Sequence, residues 1–116
     1  MKKGEITIRY MQEYLRRKQG QIDYCEDKNL CFVKLTEEMG ELASSVLRGR
    51  PLATCKEDMK GSISEEIYDV LYYLLKLANT LGVDLEEVIP IKEEINNQRY
   101  PSGIEFHPDD PSWFEE

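Results

Sequence analysis

No run of apolar residues in this sequence approaches the roughly 18 that would suggest a membrane span. Histidine is almost missing, with His107 alone near the C-terminal end. Cysteine is scarce: Cys25, Cys31 and Cys55 are odd in number and show no CxxC spacing. Neither a disulfide framework nor a thiolate zinc site is therefore expected, and all three read as reduced thiols. Basic residues are the minority, 15 Lys and Arg against 23 Asp and Glu, for a formal charge of −8. That balance argues against a duplex nucleic-acid surface, because phosphate binding needs clustered Lys and Arg. A polyphosphate ligand would need a cation as intermediary. The opening "MKKGEITIRYMQEYL" mixes Glu, Thr, Arg and Gln into its apolar residues and lacks the apolar stretch of a signal peptide, so a cytoplasmic protein without membrane contact is expected.

The 116 residues, 41% hydrophobic and 33% charged, suit one soluble domain with a modest core. No strand-like alternation of useful length occurs, and no internal repeat. A first helix is expected from about Thr7 to Gln19, with Ile8, Met11 and Leu15 on one face and Gly20 ending it. A second is expected over 28–47, stopped by "RGRP", since Gly49 can take positive φ and Pro51 cannot continue a helix. Ser62 and Glu65 form a capping box for a third, with Ile63, Ile67, Val70, Leu74, Leu77, Ala78 and Leu81 as its core stripe and Gly82 at its end. Asp84 and Glu87 open a fourth, bearing Leu85, Val88, Ile91 and Ile95, which ends near Arg99 before Pro101. The expected architecture is an all-α domain of four main helices over 1–103, followed by a tail over 104–116. Within the third helix "IYDVLYYLLKLA" is apolar or aromatic nearly all the way round. A small domain can hardly cover such a helix alone, so a homo-oligomer, dimer or tetramer, is expected.

The stretch "KLTEEMGELA" sets Glu37, Glu38 and Glu41 among Leu35, Met39 and Leu42, residues expected on a buried face. Glu38 and Glu41 are spaced i, i+3, and so share one face of the second helix. On the third helix Glu66 and Asp69 have the same spacing. Two such pairs on packed helices bring four carboxylates around one point, where they repel and titrate upward unless a cation compensates them. All-oxygen ligands without His or Cys point to a hard ion, Mg²⁺ or Mn²⁺, and the Glu-x-x-His pairs of di-iron bundles are missing. Lys34 and Ser45 project onto the stripe of Glu38 and Glu41, and Tyr73 onto that of Glu66 and Asp69. Lys34 is equally an ordinary i, i+4 partner of Glu38, and Tyr73 an ordinary half-buried core residue.

"EEMGE" from Glu37 and "EIYD" from Glu66 resemble the paired EExxE and ExxD motifs of the MazG-type all-α nucleoside triphosphate pyrophosphohydrolases. The likeness extends over "NLCFVKLTEEMGELA" from Asn29, "EEIYDVLYYLLKLANTLGVDLEEVI" from Glu65 and "KEEINNQRYP" from Lys92, in order and at suitable intervals. The ending, with Lys92, Asn96, Arg99, Tyr100 and Pro101, is similar to the branch that includes dCTP pyrophosphatases. That branch carries aromatic residues soon after its ExGE core, where this chain has "SSVLRGRP", so a preference for dCTP does not follow.

The resemblance implies that Glu38, Glu41, Glu66 and Asp69 ligate one or more Mg²⁺ ions, with Mn²⁺ a possible substitute, bridging to substrate phosphates. It implies for Glu37 a place in the metal shell or as base for the attacking water, with Glu38 also counted as catalytic. Lys34, Lys92, Asn96 and Arg99 become substrate-binding residues, although Lys92, Asn96 and Arg99, at i, i+4 and i+7, also suit a solvated helix face. The implied reaction is hydrolysis of a (deoxy)nucleoside triphosphate to the monophosphate and pyrophosphate, in a house-cleaning or pool-control role. Positioned carboxylates and a cation suffice for that chemistry without a protein nucleophile. Two other readings stand beside it: a phosphoribosyl-ATP pyrophosphohydrolase, and a catalytically silent helical oligomer that binds nucleotides or a partner.

Overall fold

In a computed structural model, residues 4–18 and 24–114 are described. The chain is all-α, with no strand among the described residues and five α-helices: α1 Ile8–Arg17, α2 Lys28–Leu47, α3 Lys56–Met59, α4 Ile63–Leu81 and α5 Leu85–Arg99. Single 3₁₀ turns lie at Tyr24–Glu26 and Pro111–Phe114. The expected end of the first helix at Gln19 and Gly20 lies outside the described residues. Residues 1–83 form one compact unit and 84–116 another.

Local chemistry sets the helix ends. The Thr7 hydroxyl accepts from Tyr10 N–H at 3.0 Å to start α1, and the Asp27 carboxylate accepts from Asn29 N–H at 2.7 Å to start α2. Both long helices of the first unit end in a Schellman motif with glycine in the left-handed region. For α2, Arg50 N–H donates to Ser45 C=O and Gly49 N–H (φ 62°) to Val46 C=O. For α4, Val83 N–H donates to Ala78 C=O and Gly82 N–H (φ 75°) to Asn79 C=O. The buried Ser62 hydroxyl caps α4 by accepting from Glu65 N–H at 3.0 Å. The Glu65 carboxylate accepts from Gly61 N–H and not from Ser62, so the expected capping box closes one residue early. At α5 the Asp84 carboxylate accepts from Glu86 N–H at 3.0 Å.

Helices α2 and α4 pack antiparallel, as the pairing of Cys25 with Thr80 near one end and Pro51 with Ile63 at the other shows. The chain between them is stitched along the start of α4: Ile63 N–H donates to Pro51 C=O at 2.9 Å, and Ala53 N–H to the Ser64 hydroxyl at 2.9 Å. Helix α1 is fixed to α4 by a pair of amides, the buried Gln12 and the half-buried Asn79. Gln12 Nε2 donates to Asn79 Oδ1 at 2.9 Å and to Val83 C=O at 2.8 Å, while Asn79 Nδ2 donates to Gln12 C=O at 2.9 Å. Because each polar group finds a partner, Gln12 can be buried beside Leu15 on what is otherwise an apolar face.

The core is small: Leu15, Cys25, Cys31, Leu35, Leu75 and Ala78 lie at its centre. This corrects the expected stripe on α4. Ile67, Leu74 and Leu81 are about half exposed, on a stripe adjoining Ala78 that the packing around Leu75 and Ala78 leaves open. Met39 is likewise 54% exposed rather than buried with Leu35. In the second unit none of Leu85, Val88, Ile91 and Ile95 is fully buried.

The expectation of three reduced thiols is also corrected. Cys25 and Cys31 are joined as a disulfide, and only Cys55 is free and exposed. The 3₁₀ turn and the Asp27 cap fold the chain back over the first turn of α2, bringing the two Cα atoms to 4.3 Å. Sequence spacing alone does not reveal such an approach.

Candidate functional site

Glu38 of α2 and Glu66 and Asp69 of α4 meet in the first unit, one oxygen of each lying within 4.8 Å of the others. The antiparallel packing brings this about: the i, i+3 pair on α4 turns both carboxylates toward the middle of α2. Glu38 is only 7% exposed, and Glu66 and Asp69 are half-buried. Glu38 Oε2 and Glu66 Oε2 are buried with no hydrogen-bond partner.

Burial raises the pKa of all three acids. For Glu38 the Glu41 carboxylate adds to it, and for Glu66 the Glu41 and Asp69 carboxylates do. For Asp69 the Glu65 and Glu41 carboxylates add to the effect of burial. Lys34 offers partial compensation, its Nζ lying 3.4 Å from Glu38 Oε1, 3.5 Å from Glu37 Oε2 and 5.7 Å from the centre of the Tyr73 ring. Burial is the largest single influence and works against the Lys34 ammonium, but the hydrogen bonds it donates to Glu38 and Glu37, together with the charges of Tyr73 and Glu38, outweigh it and the lysine pKa rises. The two partners thus move oppositely relative to their ion pair: lysine is held charged while Glu38 is pushed toward its neutral form. One ammonium cannot offset burial together with the neighbouring carboxylates, so the upward direction for Glu38 prevails.

Glu41 stands at the rim. It is exposed, and it lines a cleft of about 260 Å³ with Ser44, Ser45, Arg50, Gly61 and Glu66. It is not among the three acids in mutual reach, although its charge acts on each of them. Glu37 points outward beside Lys34. A second cleft of about 300 Å³, lined by Leu30, Val33, Lys34 and Glu37, lies toward the start of α2. Lys92, Asn96 and Arg99 belong to the second unit, on one stripe of α5. Lys92 and Arg99 are exposed, and Asn96 donates to Glu93 at 3.4 Å. Arg50 was visible in the sequence only as part of a helix stop. Nothing in its spacing sets it beside Glu41, because the Schellman turn and the stitched loop do so.

The carboxylates suit a hard divalent cation. Two buried acceptor oxygens without donors are costly groups that a cation would satisfy, and an all-oxygen donor set selects Mg²⁺ or Mn²⁺ over softer ions.

Known proteins share this helical fold. A family profile described as phosphoribosyl-ATP pyrophosphohydrolase matches residues 9–96. Two crystal structures of iMazG from Vibrio DAT 722 are similar to this chain. The N-terminally tagged form superposes with a TM-score of 0.71 at 35% identity, covering 83% of this chain and 99% of that one. The C-terminally tagged form gives 0.70 at 36%, covering 79% and 99%. The uncharacterised protein YpjD of Bacillus subtilis is 50% identical over 56 residues, which span 47% of this chain and half the length of that relative. The profile match, the shared helical fold and the acidic motifs in place on α2 and α4 together show that the chain belongs to the phosphoribosyl-ATP pyrophosphohydrolase family of the MazG-like all-α superfamily.

Proposed function

We propose that this protein is a Mg²⁺-dependent pyrophosphohydrolase that cleaves (deoxy)nucleoside triphosphates between the α and β phosphates. The observation that carries the reading is the convergence of Glu38, Glu66 and Asp69 with two buried, unpartnered carboxylate oxygens. In this reading those three residues hold the cation, and Glu41 joins them from the rim. A bound Mg²⁺ supplies neutralisation of phosphoryl charge and acidification of a coordinated water. Lys34 steadies the phosphates from the side of Glu38, and Glu37 accepts the proton of the attacking water. The water oxygen bonds to the α phosphorus while the bond to the α–β bridging oxygen breaks. Its electron pair leaves with pyrophosphate, and the other product is the nucleoside monophosphate. Lys92, Asn96 and Arg99 contribute further substrate contacts.

The apolar side chains left open on α2 and α4 support a homodimer or homotetramer as the working form. Among the described residues no helix is long and apolar enough to cross a membrane. A cytoplasmic role in nucleotide pool control or house-cleaning fits a nucleotide substrate and the absence of a basic, nucleic-acid-binding balance of charge.

A second reading is favoured by the name of the matching family, phosphoribosyl-ATP pyrophosphohydrolase. The two are separated by measuring pyrophosphate release with Mg²⁺ over canonical and modified dNTPs, NTPs and phosphoribosyl-ATP. Turnover of nucleoside triphosphates with phosphoribosyl-ATP inert supports the first reading. The reverse pattern replaces it with the second, and no release from any substrate leaves the non-enzymatic binding oligomer.

A further inference from the structure

The surroundings of the acidic cluster differ in character along α2. Toward its start lies the cleft walled by Leu30 and Val33, with Lys34 at its edge. Toward its end lies the cleft walled by Ser44, Ser45 and Arg50, which offers hydroxyls and a guanidinium facing Glu41 and Glu66. Lys34 and Ser45 are separated by roughly 16 Å along the axis at about 1.5 Å per residue, with the carboxylates between them. An end with apolar walls, a cation-binding middle and a polar end that carries one guanidinium match the order of nucleoside, α phosphate and diphosphate in one extended ligand.

Arg50 has the features of a group waiting for an anion. Among the described residues it makes no salt bridge, although Glu66 is near enough for its charge to oppose the upward pull on that acid. Its backbone is held by the bond to Ser45 C=O and by the Pro51 to Ile63 stitch. Its Nη1 lies against Gly61, where an added Cβ would stand 3.8 Å away. A guanidinium on a fixed backbone, presenting a planar fork beside a cation site, is suited to bidentate contact with a phosphate.

Resting on the pyrophosphohydrolase reading, we propose that Arg50 is a phosphate-binding residue of the same site that grips the diphosphate half of the substrate, and hence the pyrophosphate product. Ser44 and Ser45 lie beside it as further donors.

The test is calorimetric titration of pyrophosphate in excess Mg²⁺ into the wild-type protein and the variants Arg50→Gln, Arg50→Lys and Arg48→Gln. Arg48 is an exposed cation at the end of α2 and serves as a control for net charge. Arg50→Gln is expected to weaken pyrophosphate binding about tenfold or more, as loss of a hydrogen-bonded charge does. Arg50→Lys should recover only part of that, because one ammonium cannot form the fork. Arg48→Gln should stay within about twofold of wild type, and Mn²⁺ titrated without pyrophosphate should bind Arg50→Gln as it binds wild type. The proposal is overturned by equal pyrophosphate affinity in wild type and Arg50→Gln, by an equal loss in Arg48→Gln, or by a parallel loss of Mn²⁺ affinity. It is also overturned if wild type binds no pyrophosphate. Absence of nucleotide turnover by wild type is a separate result that defeats the enzymatic reading, while the titration still decides Arg50.

Discussion

Glu38 and Glu66 face one another from α2 and α4, each with a buried carboxylate oxygen that no protein donor satisfies. Buried polar atoms are rarely left without partners, and two on opposing acids oppose folding in the absence of a ligand. The arrangement makes sense when a cation completes it, and the consequences can be measured.

Glu38→Gln and Asp69→Asn keep the shape of each side chain and remove its charge. Turnover should fall by more than the roughly 10–100-fold typical of losing a residue that merely supports a metal ligand. The metal-free variants should melt no lower than wild type, because a repulsive charge has been removed. Retained hydrolysis in either variant, with helicity near wild type, would contradict the assignment.

Millimolar Mg²⁺ or Mn²⁺ should raise the melting temperature, since an ion that binds only the folded arrangement stabilises it by about 2.7 kcal/mol at a hundred times its Kd. The pH dependence follows from the raised pKa values of Glu38, Glu66 and Asp69. Between the ordinary carboxylate range and those raised values the folded state binds more protons than the unfolded one. The contribution of these groups to metal-free stability therefore falls as pH rises through that window. Protons compete with the ion, so the stabilisation by Mn²⁺ should be larger at about pH 7.5 than at about pH 5. Thermal unfolding with and without Mn²⁺ at both pH values checks this, and a shift that grows on acidification would contradict it.

Asn79→Ala removes the partner that buries Gln12. The unsatisfied amide should cost about 1–3 kcal/mol, read by chemical denaturation. Since this pair joins α1 to α4 away from the carboxylates, affinity for Mn²⁺ should remain near wild type in the folded variant. An Asn79→Ala protein as stable as wild type would show that the pair does not anchor α1.

The disulfide makes a simple labelling prediction. Denatured under non-reducing conditions, the chain should take one alkyl group, at Cys55, and after reduction three. Three groups without reduction would contradict the Cys25–Cys31 bond.

The helix ends were legible because they are written in short-range chemistry. Ser62 and Asp84 cap their helices, and Gly49 and Gly82 adopt the left-handed turns that stop α2 and α4. The short helix α3 was not legible, since four residues carry no period. The carboxylates could be read as two i, i+3 pairs, yet which of the four would be in mutual reach depends on the packing of α2 on α4 and leaves Glu41 at the rim. Apolar period also misled on α4. It marks faces that favour burial without saying what buries them, and in the single chain Ile67, Leu74 and Leu81 stay open. Arg50 and the Cys25–Cys31 pair arise from turns whose approach is set by tertiary structure.

The most direct measurement follows a nucleoside triphosphate by phosphorus NMR in the presence of Mg²⁺ and the wild-type protein, with Glu38→Gln in parallel. The expected result is nucleoside monophosphate and pyrophosphate in equal amounts from wild type alone. Nucleoside diphosphate with orthophosphate, or equal turnover by Glu38→Gln, would contradict cleavage between the α and β phosphates at this cluster.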